Sequence, residues 1–130
     1  MVHMVLIYED EGVSIEEYKA AMRSLSPKAK ELLFALYDNA DDHSASDEEL
    51  ADRMGYDDPL SARMQIGRVG QSIAKLLNKV PKNNYSKGKA WFHFVGGKYW
   101  NEKPSRKKDE RWEMNENLAK AIEEFRSKAT

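Results

Sequence analysis

A chain of 130 residues without cysteine, 41% hydrophobic and 33% charged, suits one domain with its own apolar core and excludes disulfides, thiol catalysis and thiolate metal sites. No apolar run approaches the roughly 18 residues of a membrane-spanning helix. The formal net charge of −1 conceals an asymmetry: residues 1–60 hold five Lys/Arg against fifteen Asp/Glu and residues 61–111 hold thirteen against three, so a polyanion is drawn to the middle third and repelled by the first.

The start, Met1 to Tyr8, is short, apolar and β-prone, and an N-terminal edge strand is expected within residues 1–13. Glu9, Asp10 and Glu11 follow it, which is not the pattern of a signal peptide; the chain is read as cytoplasmic. Ser14 with Glu17 three residues on forms a capping box that opens a helix over 14–24. Ser26 and Pro27 are an N-cap and a proline at the first helical position, opening a helix over 27–39 with Ala29, Leu32, Leu33, Leu36 and Tyr37 as its apolar stripe. An acidic loop, Asp38 to Ser44, follows. Ser46 and Glu49 are a second capping box, and Gly55 closes the helix 46–54 as a left-handed cap.

Asp58 and Pro59 then open a long helix over 59–78. Leu60, Met64 or Ile66, Val69, Ile73, Leu76 and Leu77 are expected to face inward, with Arg63, Arg68, Ser72 and Lys75 outward. Gly67 and Gly70 each weaken a helix interior by about 1 kcal/mol relative to Ala, which suggests close approach to another element. After a basic loop over 79–89, Ala90 to Val95 reads as a strand, Gly96-Gly97 as a turn, Lys98 to Asp109 as a flexible basic tip, and Glu110 to Met114 as the returning strand. Asn115 caps a last helix, 116–127, with Leu118, Ala119, Ile122 and Phe125 on one side.

Helices followed by one hairpin indicate an α+β, mainly α domain: a winged helix-turn-helix with four to five helices and a β-hairpin wing, spanning residues 1–130. Ala51 and Gly55 supply the small residues that let helix 46–54 pack on helix 59–78. The second helix is the reader, with Arg63, Gln65, Arg68, Gln71 and Lys75 available; Arg and Gln make bidentate contacts to base edges. The wing, residues 97–110, offers Lys98, Trp100, Lys103, Arg106, Lys107 and Lys108 to phosphates or a minor groove. The plainer alternative is a helical hairpin with a solvated polar face and a solvated loop. Against it, three elements that share one face in a winged helix share one sign.

Residues Leu50 to Tyr56 and then Ala62 to Ala74 resemble a small domain of bacterial HNH-type restriction endonucleases. Trp91 and the run Leu118 to Ile122 stand where that domain has a tryptophan-bearing strand and a terminal helix, so the likeness covers about residues 26–125. The chain departs from the pattern at Arg63 and Ile66, where the family has Asn and Tyr, and in its longer basic tip; no HNH nuclease motif is present. The resemblance implies a winged-helix-like accessory module without the nuclease.

The expected function is non-enzymatic binding of nucleic acid, with double-stranded DNA the foremost target. The alternative is a protein-interaction module, such as a phage or defence-system regulator or inhibitor that docks on a nuclease through its acidic face or presents its basic face to an acidic protein surface. No catalytic residue, metal ligand or cofactor is assigned. His3, His43 and His93 are scattered, and His43 among Asp41, Asp42 and Asp47 reads as part of an acidic capping loop rather than a metal site.

Overall fold

The computed structural model describes residues 4–7, 11–82, 84–85, 88–89, 91–101 and 111–128. In chain order they form β1 (Met4–Ile7), α1 (Ile15–Ser24), α2 (Pro27–Asn39), β2 (Ser44–Ser46), α3 (Asp47–Met54), α4 (Pro59–Leu76), β3 (Asn84–Tyr85), β4 (Gly88–Lys89), a 3-10 turn (Trp91–Phe94), β5 (Gly96–Asn101), β6 (Arg111–Met114) and α5 (Glu116–Lys128). The described fold is α+β and mainly helical.

The helices begin where side chains can satisfy their first N–H groups. Ser14 Oγ accepts from Glu17 N at 3.1 Å while Glu17 Oε1 accepts from Ser14 N at 3.1 Å. Ser46 and Glu49 repeat the exchange at 3.1 and 2.9 Å. Ser26 and Asp58 accept from Ala29 N and Ser61 N at 3.2 and 2.8 Å, each followed by a proline at the first helical position. Gly55 closes α3 at φ 74°, a conformation that glycine adopts without strain.

Four strands form an antiparallel sheet in the order β1-β5-β6-β2; β3 and β4 pair separately. Met4–Ile7 is thus an edge strand, set against Lys98–Asn101. Ser44–Ser46 pairs with Arg111–Glu113 on the other side, a three-residue strand that the acidic-loop reading had passed over. The hairpin differs from the sequence expectation. Trp91–Phe94 is a 3-10 turn rather than strand, Gly96 and Gly97 lie in the ladder opposite Met114 and Glu113, and Lys98 to Asn101 continue the strand. The reason is steric. A Cβ on Gly96 would lie 2.1 Å from Glu113 O, so only glycine lets the two strands close at that point. The bulky residues 91–95 serve instead as a wedge under α4. Residues 102–110, most of the expected flexible tip, lie outside the described residues.

One apolar core joins all five helices and the sheet. It includes Tyr18, Met22, Leu33, Leu36, Leu50, Ile66, Ile73, Phe94, Trp112, Leu118 and Ile122. Three buried hydrogen bonds converge around Tyr18. The hydroxyl donates to Phe94 O at 2.8 Å and accepts from Asn115 Nδ2 at 3.0 Å, and Asn115 Nδ2 also donates to His93 O at 2.8 Å. This ties the 3-10 turn to α1 and to the start of α5. Asn115 Oδ1 has no hydrogen-bond partner, so the expected side-chain cap of α5 is not made.

Helix α4 is held against the wedge by Gly70, where a Cβ would lie 2.1 Å from Trp91 O. That is the close approach expected from the glycine pair. Gly67 differs: a Cβ there would meet nothing within 4 Å. Ile66, Val69 and Ile73 face inward as expected, Ile66 rather than Met64 taking the place left open between them; Met64 is 49% exposed, and Leu60 and Leu76, expected inward, are 57% and 46% exposed. The inward arc of α4 is narrower than the sequence implied, and small residues, Ala62, Gly70 and Ala74, make up half of its buried positions.

Candidate nucleic-acid interface

The α3–α4 hairpin is braced by one carboxylate. Asp47, first residue of α3, is buried and accepts from Trp112 Nε1 at 2.6 Å through Oδ1. Its Oδ2 accepts from Arg63 Nε and Nη2 at 3.2 and 3.0 Å. Phe92 meets the Trp112 ring edge-on at 5.2 Å, and the Lys98 ammonium lies 5.4 Å from the same ring centroid. Lys98 of β5, Trp112 of β6, Asp47 of α3 and Arg63 of α4 therefore form one connected chain across four elements. A buried indole N–H needs an acceptor, and Asp47 supplies it while holding a guanidinium.

The cations anticipated for DNA fall into distinct groups. Arg63 is turned onto Asp47, so its fork is engaged within the fold. Arg68 and Lys75 are exposed and form no ion pair with any described residue. Gln65 and Gln71 are half-buried along the same helix. Lys98 is half-exposed beside Trp112. Trp100 lies in β5 opposite Val5 rather than at a loop tip. Lys103, Arg106, Lys107 and Lys108 lie outside the described residues.

The charge asymmetry is partly consumed in folding. Arg63 pairs with Asp47, Lys79 with Glu17 at 3.6 Å and Arg111 with Glu49 at 2.8 Å, each joining the basic middle to the acidic first third. Glu11 accepts from Lys82 N through both carboxylate oxygens at 3.1 Å. Asp38 likewise accepts through both oxygens, from Arg126 Nη1 and Nη2 at 2.7 and 2.8 Å. These contacts leave marks on titration. The Ser14 N–H, its own cap, holds Glu17 below the ordinary carboxylate range, with Lys79 adding to the effect. The Ser46 N–H does so for Glu49, with Arg111 beside it. The Arg126 guanidinium lowers Asp38. The two signs are therefore stitched together at several points rather than cleanly parted onto two faces.

On the far side of β6 a cleft of about 370 Å³ is bordered by Asp42, His43, Glu113, Glu116, Lys120 and Glu123. Lys120 is tied to Glu116 at 3.1 Å. His43 has φ 56°, stacks on Tyr37 at 4.0 Å and shares its Nδ1 with Tyr37 O at 2.8 Å. Asp42 accepts from Ser44 Oγ at 2.6 Å. Among the described residues no three His, Asp or Glu side chains gather as a metal site would require.

Two features of the interface were not legible in sequence. Asp47 read as one more acid of a capping box, because its partners lie 16 and 65 residues away. The outward turn of Leu60 ran against its apolar spacing, which had also left open the choice between Met64 and Ile66. No protein-family model, curated protein or solved structure shows a significant match to this chain.

Proposed function

We propose that the chain is a non-enzymatic winged-helix domain that binds nucleic acid, with double-stranded DNA as its ligand. The connectivity supports the fold reading: α2-β2-α3-α4 and then, after the β3–β4 pair and the 3-10 turn, β5-β6, with β2 paired on the second strand of the β5–β6 hairpin, follows the order of a helix-turn-helix and its wing. In that arrangement α4 is the reader. The observation that carries the functional reading is the chemistry of α4. Its 18 residues contain no Asp or Glu, and its outer side carries Arg68 and Lys75, which have no ion-pair partner among the described residues. The resemblance of residues 50–56 and 62–74 to the accessory domain of HNH-type restriction endonucleases supports the winged-helix part of the reading.

A fluorescence-anisotropy titration of mixed-sequence duplex DNA tests it. With about six phosphates neutralised, log affinity falls against log salt with a slope of about −5. The double variant Arg68→Glu with Lys75→Glu loses affinity and flattens the slope by about 2. Binding without salt dependence, or no binding at low salt, refutes the proposal.

The cleft at β6 and α5 favours a second reading, a protein partner presenting a basic side chain. Its border holds Asp42, Glu113, Glu116 and Glu123 against one cation that is already paired. A partner captured from the host and lost on reversing Asp42 and Glu123, but retained on neutralising Arg68 and Lys75, supports this reading over the first.

A further inference from the structure

Among the described residues the exposed large hydrophobic side chains are Leu60, Met64, Leu76 and Val80, all on α4 or just after it. Leu60 and Met64 are one turn apart on the outward side of the first half of α4. Arg68, Gln71 and Lys75 continue the same stripe at helical spacing. A single exposed leucine needs no explanation. Two neighbours in line with cations that pair with no described residue, on a helix without one acid, form a surface of a particular kind: apolar at one end, positive along the rest. A protein partner matched to the cations would be acidic, but it would leave the two apolar side chains to find a separate greasy patch. The floor of the DNA major groove offers both chemistries together. It is flanked by phosphates, and its one apolar feature is the C5-methyl group of thymine. Gly67, beside Met64 and Arg68, leaves open space where a side chain would stand, which allows a close approach by the groove wall.

We propose that Leu60 and Met64 are specificity-determining residues that contact thymine C5-methyl groups in the major groove. The inference rests on the DNA-binding reading above, and it names what that reading leaves open, the base feature being read.

The test uses duplexes enriched by the protein from a random pool and then remade with uracil in place of thymine. Uracil removes the methyl group and leaves the charge and the hydrogen-bonding edges unchanged. The wild-type protein binds the uracil duplex about fourfold more weakly for each methyl group contacted. Leu60→Ser with Met64→Ser brings affinity for the thymine duplex down to that for uracil and abolishes the discrimination. Both positions are exposed, and unchanged thermal melting of the double variant shows that the fold is intact. Equal affinity of the wild type for both duplexes overturns this inference while leaving DNA binding in place. No binding to any duplex overturns both. A dimer that the serine variant dissociates, with no uracil effect, overturns the inference in favour of contact between two copies of the chain.

Discussion

Replacing Asp47 by Ala removes three interactions at once, and their sizes follow from the geometry. The Trp112 indole is buried and donates to Oδ1 at 2.6 Å; a hydrogen bond to a charged group contributes about 1.5–3 kcal/mol. The Arg63 side chain is 46% exposed, so its ion pair contributes at most about 1 kcal/mol. Asp47 also stands in the first turn of α3, where a negative charge contributes about 0.3–1 kcal/mol. Asp47→Ala is expected to cost about 3 kcal/mol in all. In a domain of this size that lowers the melting temperature by about 12 °C. Arg63→Ala should cost about 1 kcal/mol or less, and Trp112→Phe should fall between the two. Urea denaturation followed by circular dichroism reads all three, and a double-mutant cycle of Asp47→Ala with Trp112→Phe reads their coupling. An Asp47→Ala loss under about 0.5 kcal/mol refutes the reasoning. So does an Arg63→Ala loss as large as that of Asp47→Ala. In DNA binding the order reverses: Arg68→Ala should weaken affinity more than Arg63→Ala, because only Arg63 is already held by a carboxylate.

The two glycines of α4 should behave oppositely. Gly67→Ala meets nothing within 4 Å and is expected to stabilise the fold by about 0.5–1 kcal/mol, whereas Gly70→Ala drives a methyl group onto Trp91 O and should destabilise by about 1–3 kcal/mol or more; thermal melts of both variants check the contrast. Glu17, Glu49 and Asp38 all ionise more readily in the fold than ordinary carboxylates. Their contribution is therefore fully present above the unfolded values of about 4 and is lost as pH falls through the lowered folded values. Melting temperature should hold near neutrality and decline below about pH 4.5, and a triple variant with Gln at 17 and 49 and Asn at 38 should decline less. Gly96→Ala should separate β5 from β6 at Glu113, seen as faster exchange of the Asn115 amide, which donates to Val95 O across that seam, while α2 stays protected.

The helices were legible in the sequence because their signals are short-range. Ser14 with Glu17, Ser26 with Pro27, Ser46 with Glu49, Asp58 with Pro59, and Gly55 each act within a few residues, and each is made in the structure. The edge strand at Met4–Ile7 and the returning strand Arg111–Met114 were legible for a similar reason, their composition. The candidate site was legible only in its charge. Arg68, Gln71 and Lys75 lie along the outward side of α4 because 3.6-residue periodicity places them there.

What tertiary structure decided was pairing between distant segments. Trp91 to Val95 has the composition of a strand, yet it became the wedge under α4, and the ladder starts at Gly96, where only glycine lets the backbone close on Glu113. Met64 and Ile66 are equivalent apolar residues by composition, and only the position of the wedge and of α1 sends one outward and the other in. Arg63 is one of thirteen cations in the middle of the chain, and a carboxylate 16 residues earlier removes it from the free set. A local signal needs only neighbours along the chain, so the sequence by itself determined the helices and the sign of α4. Which of its side chains remain available to a ligand depends on contacts between residues far apart in sequence, and that only the folded chain decided.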